Sequence, residues 1–204
     1  MGVDKPGPGE ELNTGAATTP REAATVIVLR GGGEALEVLL VKRNPEQRFM
    51  GGAWVFPGGA VDADEDSRVA GVREVAEEAA VALPDAEALI EFSRWITPAE
   101  VKIRFDTRFY LVAAPLDAEP RVDGAECVDI GWYSPRGALE AYERGELLLV
   151  FPTIKTLERL SPFGSADELL GWAVGREVVP IEPRVVMEGE VARVVLPGEP
   201  GYEA

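Results

Sequence analysis

Three glutamates at helical spacing are the residues of this sequence best suited to chemistry. Glu74, Glu77 and Glu78 stand at positions i, i+3 and i+4, so on a helix their carboxylates share one face. Like charges placed in this way destabilise an isolated helix by roughly 0.2–0.5 kcal/mol per pair. A divalent cation reverses that sign, because carboxylate oxygens on a rigid element suit Mg²⁺ or Mn²⁺. A solvated charged face is the alternative interpretation, and the surrounding residues decide between the two.

The residues that precede the glutamates form a motif with fixed offsets. Five residues separate Gly59 from Glu65, and seven separate Glu65 from Arg73, which directly precedes Glu74. Arg73 can pair with Glu65 or with a neighbouring carboxylate and so hold the loop against the helix. Gly58 and Gly59 allow the backbone to approach a metal ion or a phosphate closely. Because this spacing is improbable by chance, it favours a metal site over a solvated face.

Amphipathic periodicity predicts the helix that carries the glutamates. Apolar residues recur on one face from Ser67 to Leu83, Asp66 or Ser67 can cap the helix, and Pro84 ends it. Elsewhere, β-branched apolar runs predict strands and short amphipathic runs predict helices. The predicted strands are 24–30, 36–42, 53–56, 107–114 and 127–133, the predicted helices are 135–143, 154–160 and 166–174, and a terminal hairpin pairs 184–187 with 191–196. This order predicts a mixed-sheet α+β or α/β sandwich rather than a doubly wound fold.

The charge balance excludes several classes of function. The 204 residues include 36 acidic and 20 basic ones and no histidine, which gives a formal charge of −16. Such a charge argues against a surface that tracks nucleic-acid phosphates or docks on anionic membranes. The absence of histidine excludes a Ser-His-Asp triad and a histidine-ligated zinc. The single cysteine, Cys127, permits no internal disulfide, and we expect a cytoplasmic protein.

Composition also predicts the domain boundary. Residues 1–22 contain three prolines and four glycines with few apolar side chains, which predicts a disordered N-terminal tail. We expect residues 23–204 to form a single domain, in which helices and a hairpin make a C-terminal extension. We expect neither a secretory signal nor a membrane-spanning segment, because no stretch has the required apolar length.

The segment from Gly59 to Val81 resembles the Nudix box of the Nudix hydrolases. That box has the pattern Gly-x5-Glu-x7-Arg-Glu-apolar-x-Glu-Glu-x-Gly-apolar, and every position matches except the late glycine, which is Ala80 here. The resemblance implies a Nudix-like α/β/α sandwich with a mixed central sheet. It also implies a hydrolase that cleaves nucleoside diphosphates linked to a further group. The replacement by Ala80 affects the helix exit, since alanine resists the left-handed conformation, and it removes no metal ligand.

The same resemblance implies roles for the residues of the box. The implied ligands of Mg²⁺ or Mn²⁺ are Glu74, Glu77, Glu78 and the carbonyl of Gly59. Arg73 and Glu65 would hold the loop and the helix together, with Gly58 and Gly59 in the structural motif. The general base is either a box glutamate, Glu77 or Glu78, or the downstream acid Glu126, for which a solvated position at a strand end is the alternative.

An upstream pattern concerns the substrate. The run Leu-Leu-Val-Lys-Arg-Asn-x3-Arg-x3-Gly-x3-Phe-Pro-Gly-Gly, which ends at Gly59, is similar to the signature of the coenzyme A diphosphatase branch. The similarity implies coenzyme A or acyl-coenzyme A as substrate and a binding role for Arg48. A later stretch resembles a subgroup of acyl-coenzyme A diphosphatases, and its Arg104 and Arg108 suit the diphosphate or the 3′-phosphate of the nucleotide. Pairing with Asp106, or an ordinary charged position on the strand surface, is the alternative role of these two arginines.

Other substrates and roles stay open at the level of sequence. ADP-ribose, a nucleotide sugar or a dinucleotide would require the same chemistry, and a catalytically silent Nudix-fold module that binds a ligand or regulates is a further alternative. Retention of the four box glutamates and Arg73 counts against the silent module. We expect a small-molecule nucleotide diphosphate as the partner, no nucleic acid and no membrane, and the family resemblance implies a homodimer.

Overall fold

The central strand of the fold is apolar along its length because both of its faces are covered. In β1 (Arg21–Arg30) the side chains of Val26 and Val28 belong to one buried cluster, whereas those of Ile27 and Leu29 belong to the other. Successive side chains of a strand point to opposite faces, so such a run indicates a strand packed on two sides. The sheet therefore lies between two layers.

The computed structural model describes residues 11–13, 15–33, 35–188 and 191–203. Within these residues the strands are β1 (Arg21–Arg30), β2 (Glu37–Arg43), β3 (Trp54–Val55), β4 (Gly58–Ala60), β5 (Ile90–Ile96), β6 (Phe105–Ala113), β7 (Cys127–Tyr133), β8 (Pro180–Ile181), β9 (Arg184–Glu188) and β10 (Val191–Val195). The helices are α1 (Ser67–Ala79), α2 (Pro135–Glu143), α3 (Phe151–Leu160) and α4 (Ala166–Ala173), and a short 3-10 helix spans Ala86–Ala88.

The first eight strands form one mixed sheet. Hydrogen-bonded neighbours follow the order β3-β2-β1-β6-β5-β8, with β4 paired to β1 and β7 paired to β2. The pairs β1–β6 and β5–β8 are parallel and the other pairs are antiparallel. Helix α1 covers one face through Val75 and Ala79, whereas α2, α3 and α4 cover the other. The predicted α/β sandwich with a mixed central sheet is confirmed.

The helix that carries the glutamates begins where the sequence predicts and ends earlier. The Asp66 side chain caps the first turn by accepting a hydrogen bond from the Arg68 N–H at 2.8 Å. The further turn predicted at the other end is wrong, because Ala80 has φ 53° and ψ 29°, which is the left-handed conformation. The helix therefore stops at Ala79. The Ala80 N–H donates to the Ala76 carbonyl at 3.1 Å, as in an αL helix end.

The segment ahead of β1 is packed against the rest of the chain where the structure describes it. Leu12 forms a β-bridge with Val101, and the Thr18 hydroxyl donates to the Lys102 carbonyl at 3.1 Å. A distant loop thus supplies backbone partners to the described residues of this segment, and local composition does not reveal such partners. The disordered tail and its boundary stay predictions. Residues 1–10 and 14 lie outside the described part of the chain.

The C-terminal part of the chain adds helices, one more strand of the sheet and a separate hairpin. Helix α3 begins at Phe151, three residues before the predicted start, because Pro152 fits the first turn of a helix. Strands β9 and β10 pair with each other as the terminal hairpin that the sequence predicts. No helix within the described residues is both long enough and apolar enough to span a membrane.

Candidate active site

Arg73 joins the loop before α1 to the helix itself. Its Nε and Nη2 donate to the two carboxylate oxygens of Glu65 at 3.1 and 3.0 Å, and its Nη1 donates to Glu74 Oε1 at 2.7 Å. Nη2 also donates to the Ala60 carbonyl at 3.1 Å. Hydrogen bonding with Glu65 raises the pKa of Arg73 and lowers the pKa of Glu65, so both groups stay charged. The loop is therefore held to the helix as the motif spacing predicts.

Glu78 is buried beneath the glycine loop. Only 3% of its side chain is exposed, and its Oε2 accepts a hydrogen bond from the Gly58 N–H at 2.9 Å. A side chain at position 58 would collide with the Ala24 carbonyl, so this approach needs glycine. Burial raises the pKa of Glu78 to about 7, although the Gly58 N–H and the Arg43 guanidinium, 3.9 Å away, favour its charged form. A cation that reached this carboxylate would stabilise its charge.

Glu74 lies directly against the backbone of Gly59. A Cβ at Gly59 would collide with the Glu74 carboxylate, so a side chain here would displace that carboxylate from its position. Burial raises the pKa of Glu74, and the Arg73 guanidinium opposes that rise. Glu74 and Glu78 thus bring two desolvated carboxylates to the same loop from successive turns of α1.

One cavity of about 430 Å³ connects these groups. The charged side chains and glycines of its lining are Arg43, Gly58, Gly59, Glu74, Glu78 and Glu126. Glu126 stands immediately before β7, and its N–H donates to Asp123 Oδ2 at 2.8 Å, which fixes the turn that places it. The Glu126 side chain is exposed and also borders the cavity. The structure therefore brings this predicted acid to the helix glutamates.

Glu77 is placed differently from the other two glutamates of the helix. Its side chain is 60% exposed, its Oε2 accepts a hydrogen bond from Arg73 Nη1 at 3.3 Å, and it is absent from the cavity lining. Within the described residues no three carboxylate or thiol side chains converge into a ready-made metal site. Two of the three predicted glutamate ligands, Glu74 and Glu78, do share the cavity with Gly59, the fourth predicted ligand. Their desolvated oxygens are hard donors that fit Mg²⁺ or Mn²⁺.

The first of the arginines predicted to bind substrate is turned into the protein. Arg104 is 8% exposed, and its guanidinium donates to the carbonyls of Thr97 and Thr18 at 2.9 and 2.7 Å and to the Glu182 carboxylate at 2.6 Å. These partners occupy Nε and both terminal nitrogens. Arg104 precedes β6 and lies outside the cavity lining, and its phosphate-binding role stays a prediction.

The other two predicted substrate arginines also lie outside the cavity lining. Arg108 pairs with Glu91 at 3.0 Å, and Asp106, its alternative partner, pairs with Arg94 instead. Arg48 is 86% exposed and lies 3.3 Å from a carboxylate oxygen of Glu11. The structure thus does not bring the three arginines together with the helix glutamates.

Arg43 is the cavity cation that the sequence analysis does not single out. It ends β2, it lines the cavity, and its Nε is buried without a hydrogen-bond partner among the described residues. A buried N–H without a partner is costly, and a phosphate oxygen in the cavity would satisfy it. Its position inside the run that is similar to the coenzyme A signature could have pointed to it. An arginine at the end of a strand is, however, most often an exposed surface residue.

The glycine loop, the carboxylate helix and the covered mixed sheet together define a Nudix-type domain. A family model for the NUDIX domain matches residues 19–151, well over half of the chain. The chain belongs to the Nudix family. Members of this family generally use divalent metal ions.

Individual relatives cover parts of the chain. Putative nudix hydrolase 7 of Caenorhabditis elegans is 31% identical over 165 aligned positions, which cover 61% of this chain and 55% of that protein. Acyl-coenzyme A diphosphatase NUDT19 of Homo sapiens is 32% identical, covering 58% of this chain and 33% of that protein. The crystal structure of a NUDIX hydrolase from Alicyclobacillus acidocaldarius matches with a TM-score of 0.67 and 29% identity, covering 76% of this chain and 96% of that one. The chain thus spans about half the length of the Caenorhabditis elegans relative and about a third of the length of the human one.

Proposed function

We propose that this chain is a Mg²⁺- or Mn²⁺-dependent hydrolase that cleaves the diphosphate linkage of coenzyme A or acyl-coenzyme A. The observation that carries the proposal is the pair of desolvated carboxylates, Glu74 and Glu78, beside the glycine loop at one cavity. The similarity to the human acyl-coenzyme A diphosphatase favours the coenzyme A branch within the family.

Each residue at the cavity has a separate role in this proposal. Glu74 and Glu78, with the Gly59 backbone beside them, would hold the divalent cation. When bound, such a cation neutralises phosphate oxygens and lowers the pKa of a water molecule. Arg43 would donate its unpartnered Nε–H to a phosphate oxygen. Arg73 acts through Glu74 as a positioning residue, because its hydrogen bonds hold that carboxylate and the loop together.

We assign the role of general base to Glu126. A base must reach the attacking water, and Glu126 borders the cavity, is exposed to solvent and makes no ion pair within the described residues. Glu77 is less suited because its carboxylate accepts a hydrogen bond from Arg73 outside the cavity. Glu78 is less suited because the cation would occupy it.

Hydrolysis assays with several substrates test the chemistry and the substrate class together. With Mg²⁺ or Mn²⁺ we expect turnover of coenzyme A and octanoyl-coenzyme A, and we expect Glu78→Gln to lower kcat by about 100-fold or more. Glu87→Gln makes the same change at an exposed glutamate outside the cavity and serves as the matched control. ADP-ribose and NADH are the comparison substrates.

The outcomes separate the alternatives. Turnover of ADP-ribose or NADH without turnover of coenzyme A would support the proposed hydrolase activity and contradict the proposed substrate. No turnover of any substrate, or equal turnover by Glu78→Gln, would contradict the hydrolase proposal and favour a silent binding module. Gel filtration with light scattering on the same preparations tests the proposed homodimer.

A role for Arg48 in binding coenzyme A is tested separately. Its sequence neighbours Phe49 and Met50 line the cavity, and its own guanidinium is exposed, so a bound nucleotide could reach it. We expect Arg48→Met to raise KM for coenzyme A with little change in kcat. Arg121→Met removes a similarly exposed arginine that does not belong to the cavity loop, and it should leave KM unchanged. An unaltered KM in Arg48→Met would refute the binding role.

A further inference from the structure

The cavity beside the glutamates has mostly apolar walls. Among its described lining residues, the polar side chains other than the carboxylates and Arg43 are four threonines: Thr25, Thr97, Thr107 and Thr153. A sugar or another polyhydroxylated arm would leave many of its hydroxyls without partners there, which carries a cost for each one. An aliphatic arm has no such groups and gains free energy from each methylene that it buries.

Aromatic rings make much of this wall rigid. The rings that line the cavity are those of Phe49, Phe56, Trp95, Phe105, Phe109 and Phe151. Two pairs of them contact each other, Phe49 with Phe105 at a centroid distance of 5.9 Å, and Trp95 edge-on to Phe151 at 6.1 Å. Rings held in such pairs offer a preformed apolar surface, which lowers the entropic cost of binding a flexible chain.

The last part of the wall comes from outside the matched Nudix region. Strands β9 and β10 contribute Val185 and Val194, which are partners across the hairpin and both line the cavity. The hairpin is anchored by the Val185 N–H, which donates to Glu100 Oε2 at 3.2 Å. The neighbouring Glu182 is held by Arg104 at 2.6 Å. Arg104 therefore contacts the segment that leads into this hairpin.

We propose that the cavity takes an aliphatic arm carried by the diphosphate substrate, and that Val185 and Val194 determine how long an arm fits. The proposal rests on the proposed function only for the diphosphate end of the ligand. It assigns a specificity-determining role to the C-terminal hairpin, which follows the family-matched residues 19–151 in the chain. A volume of about 430 Å³ lies within the usual range for a small-molecule site.

A homologous series of n-alkyl phosphates, from ethyl to decyl, tests this inference by titration calorimetry in the presence of Mg²⁺. We expect Kd to fall by about two- to four-fold for each added methylene until the cavity is full, since burial of a methylene contributes up to about 0.8 kcal/mol and ordering the chain offsets part of it. Beyond that length Kd should stay constant. The length at which the plateau begins measures the depth of the cavity.

Two pairs of variants locate the wall. Val185→Phe should bring the plateau to a shorter chain, whereas Val186→Phe should leave it unchanged, because Val186 is on the opposite face of β9 and outside the lining. Thermal melting checks that both proteins fold. If Val185→Phe does not fold, Val185→Thr keeps the shape of the side chain and should weaken decyl phosphate several-fold, and Val186→Thr should not.

The outcomes distinguish this inference from the hydrolase proposal. A Kd that does not change with chain length, including the absence of any binding, would overturn the inference whatever the protein hydrolyses. Equal effects of substitutions at Val185 and Val186 would overturn the role of the hairpin. Chain-length dependence with a shift confined to Val185 would support the inference even if coenzyme A were not turned over, in which case only the proposed substrate would fail.

Discussion

At the scale of single residues, two positions of the box respond to a side chain in opposite ways. At Gly59 any Cβ would collide with the Glu74 carboxylate, so a side chain there would displace that carboxylate. At Ala80 the methyl group is accommodated, and the cost lies in a left-handed backbone with φ 53°. That conformation costs an L-residue about 1–2 kcal/mol. Glu78, the penultimate residue of α1, is nevertheless buried against the loop, so the departure from the box leaves this carboxylate in place.

Ala80→Gly should stabilise the protein by about 1 kcal/mol. Glycine relieves the left-handed strain, and the larger entropy of the unfolded chain offsets part of that gain. We expect Tm to rise by about 2–4 °C in a thermal melt. Ala76→Gly, at an exposed position inside α1, is the control and should lower stability by roughly 0.5–1 kcal/mol. A lower Tm for Ala80→Gly would show that the helix does not end in this conformation.

Glu78 should make the stability of the metal-free protein depend on pH. Because burial raises its pKa to about 7, above the value of 4.5 for a free side chain, the folded state binds the proton more tightly than the unfolded state. The resulting stabilisation is fully present below a pH of about 4.5 and is lost as the pH rises through about 7, a change of about 3 kcal/mol. Urea unfolding with a chelator, compared at about pH 5 and about pH 8, measures it. Glu78→Gln should remove the part of this pH dependence that Glu78 contributes, and Glu87→Gln should keep it.

At the scale of elements, strand alternation separates residues that are neighbours in sequence. On β6, Thr107 and Phe109 line the cavity, whereas Arg108 and Tyr110 alternate with them and Tyr110 packs in the cluster beneath α1. Sequence spacing alone does not distinguish these faces when both are buried. Arg104, at the end of the preceding loop, is enclosed by partners from three distant segments. Two arginines of one stretch thus have unrelated surroundings.

Replacing these arginines should have unequal effects on stability. Arg104→Met should lower the free energy of unfolding by about 2–3 kcal/mol, because two backbone carbonyls and the Glu182 carboxylate lose their common donor. Arg108→Met should change it by less than about 1 kcal/mol, since its pair with Glu91 is partly exposed. Urea denaturation curves with equal slopes give both values. A stable Arg104→Met protein with a raised KM for coenzyme A would instead support the phosphate-binding role.

At the scale of the whole molecule, the acidic charge is concentrated around the candidate site. Residues 62–91 contain ten acidic and two basic residues, so this segment carries −8 of the total −16. The segment includes α1 and the loop before it, which places Glu74 and Glu78 in a field of like charge. A phosphate-bearing ligand would be repelled from such a surface, so cations are needed between the protein and the substrate.

Mg²⁺ should therefore stabilise the folded protein specifically. At a concentration of about 100 times Kd the expected gain is about 2.7 kcal/mol. NaCl at the same ionic strength should give much less, because screening acts on all charges weakly while the divalent ion binds buried oxygens. The gain should be larger above pH 7 than below it, since Glu78 must lose its proton to bind the ion. Thermal melts of wild type and Glu78→Gln test this, and equal gains in both proteins would contradict a site at Glu78.

Interactions between residues close in the chain were predictable. The helix of the glutamates, its cap at Asp66 and the pairing of Arg73 with Glu65 follow from spacing, because α-helical geometry and a short loop leave few other arrangements. The class of fold follows from the order of apolar runs, because the order of strands and helices limits the ways in which they can form layers. The end of α1 did not follow, since it depends on a backbone conformation that alanine rarely adopts.

Contacts between distant residues were settled by the pairing of strands. Arg43 stands opposite Cys127 in the β2–β7 register, and the Asn44 N–H donates to the Glu126 carbonyl at 2.8 Å, which brings Arg43 and Glu126 to the cavity of Glu78. The sequence already contained the chemistry of these groups: carboxylates suited to a divalent ion and no histidine. Their meeting at one cavity, and the exclusion of Arg104 from it, depended on strand register and burial, because a shift of one residue turns a side chain to the opposite face of the sheet.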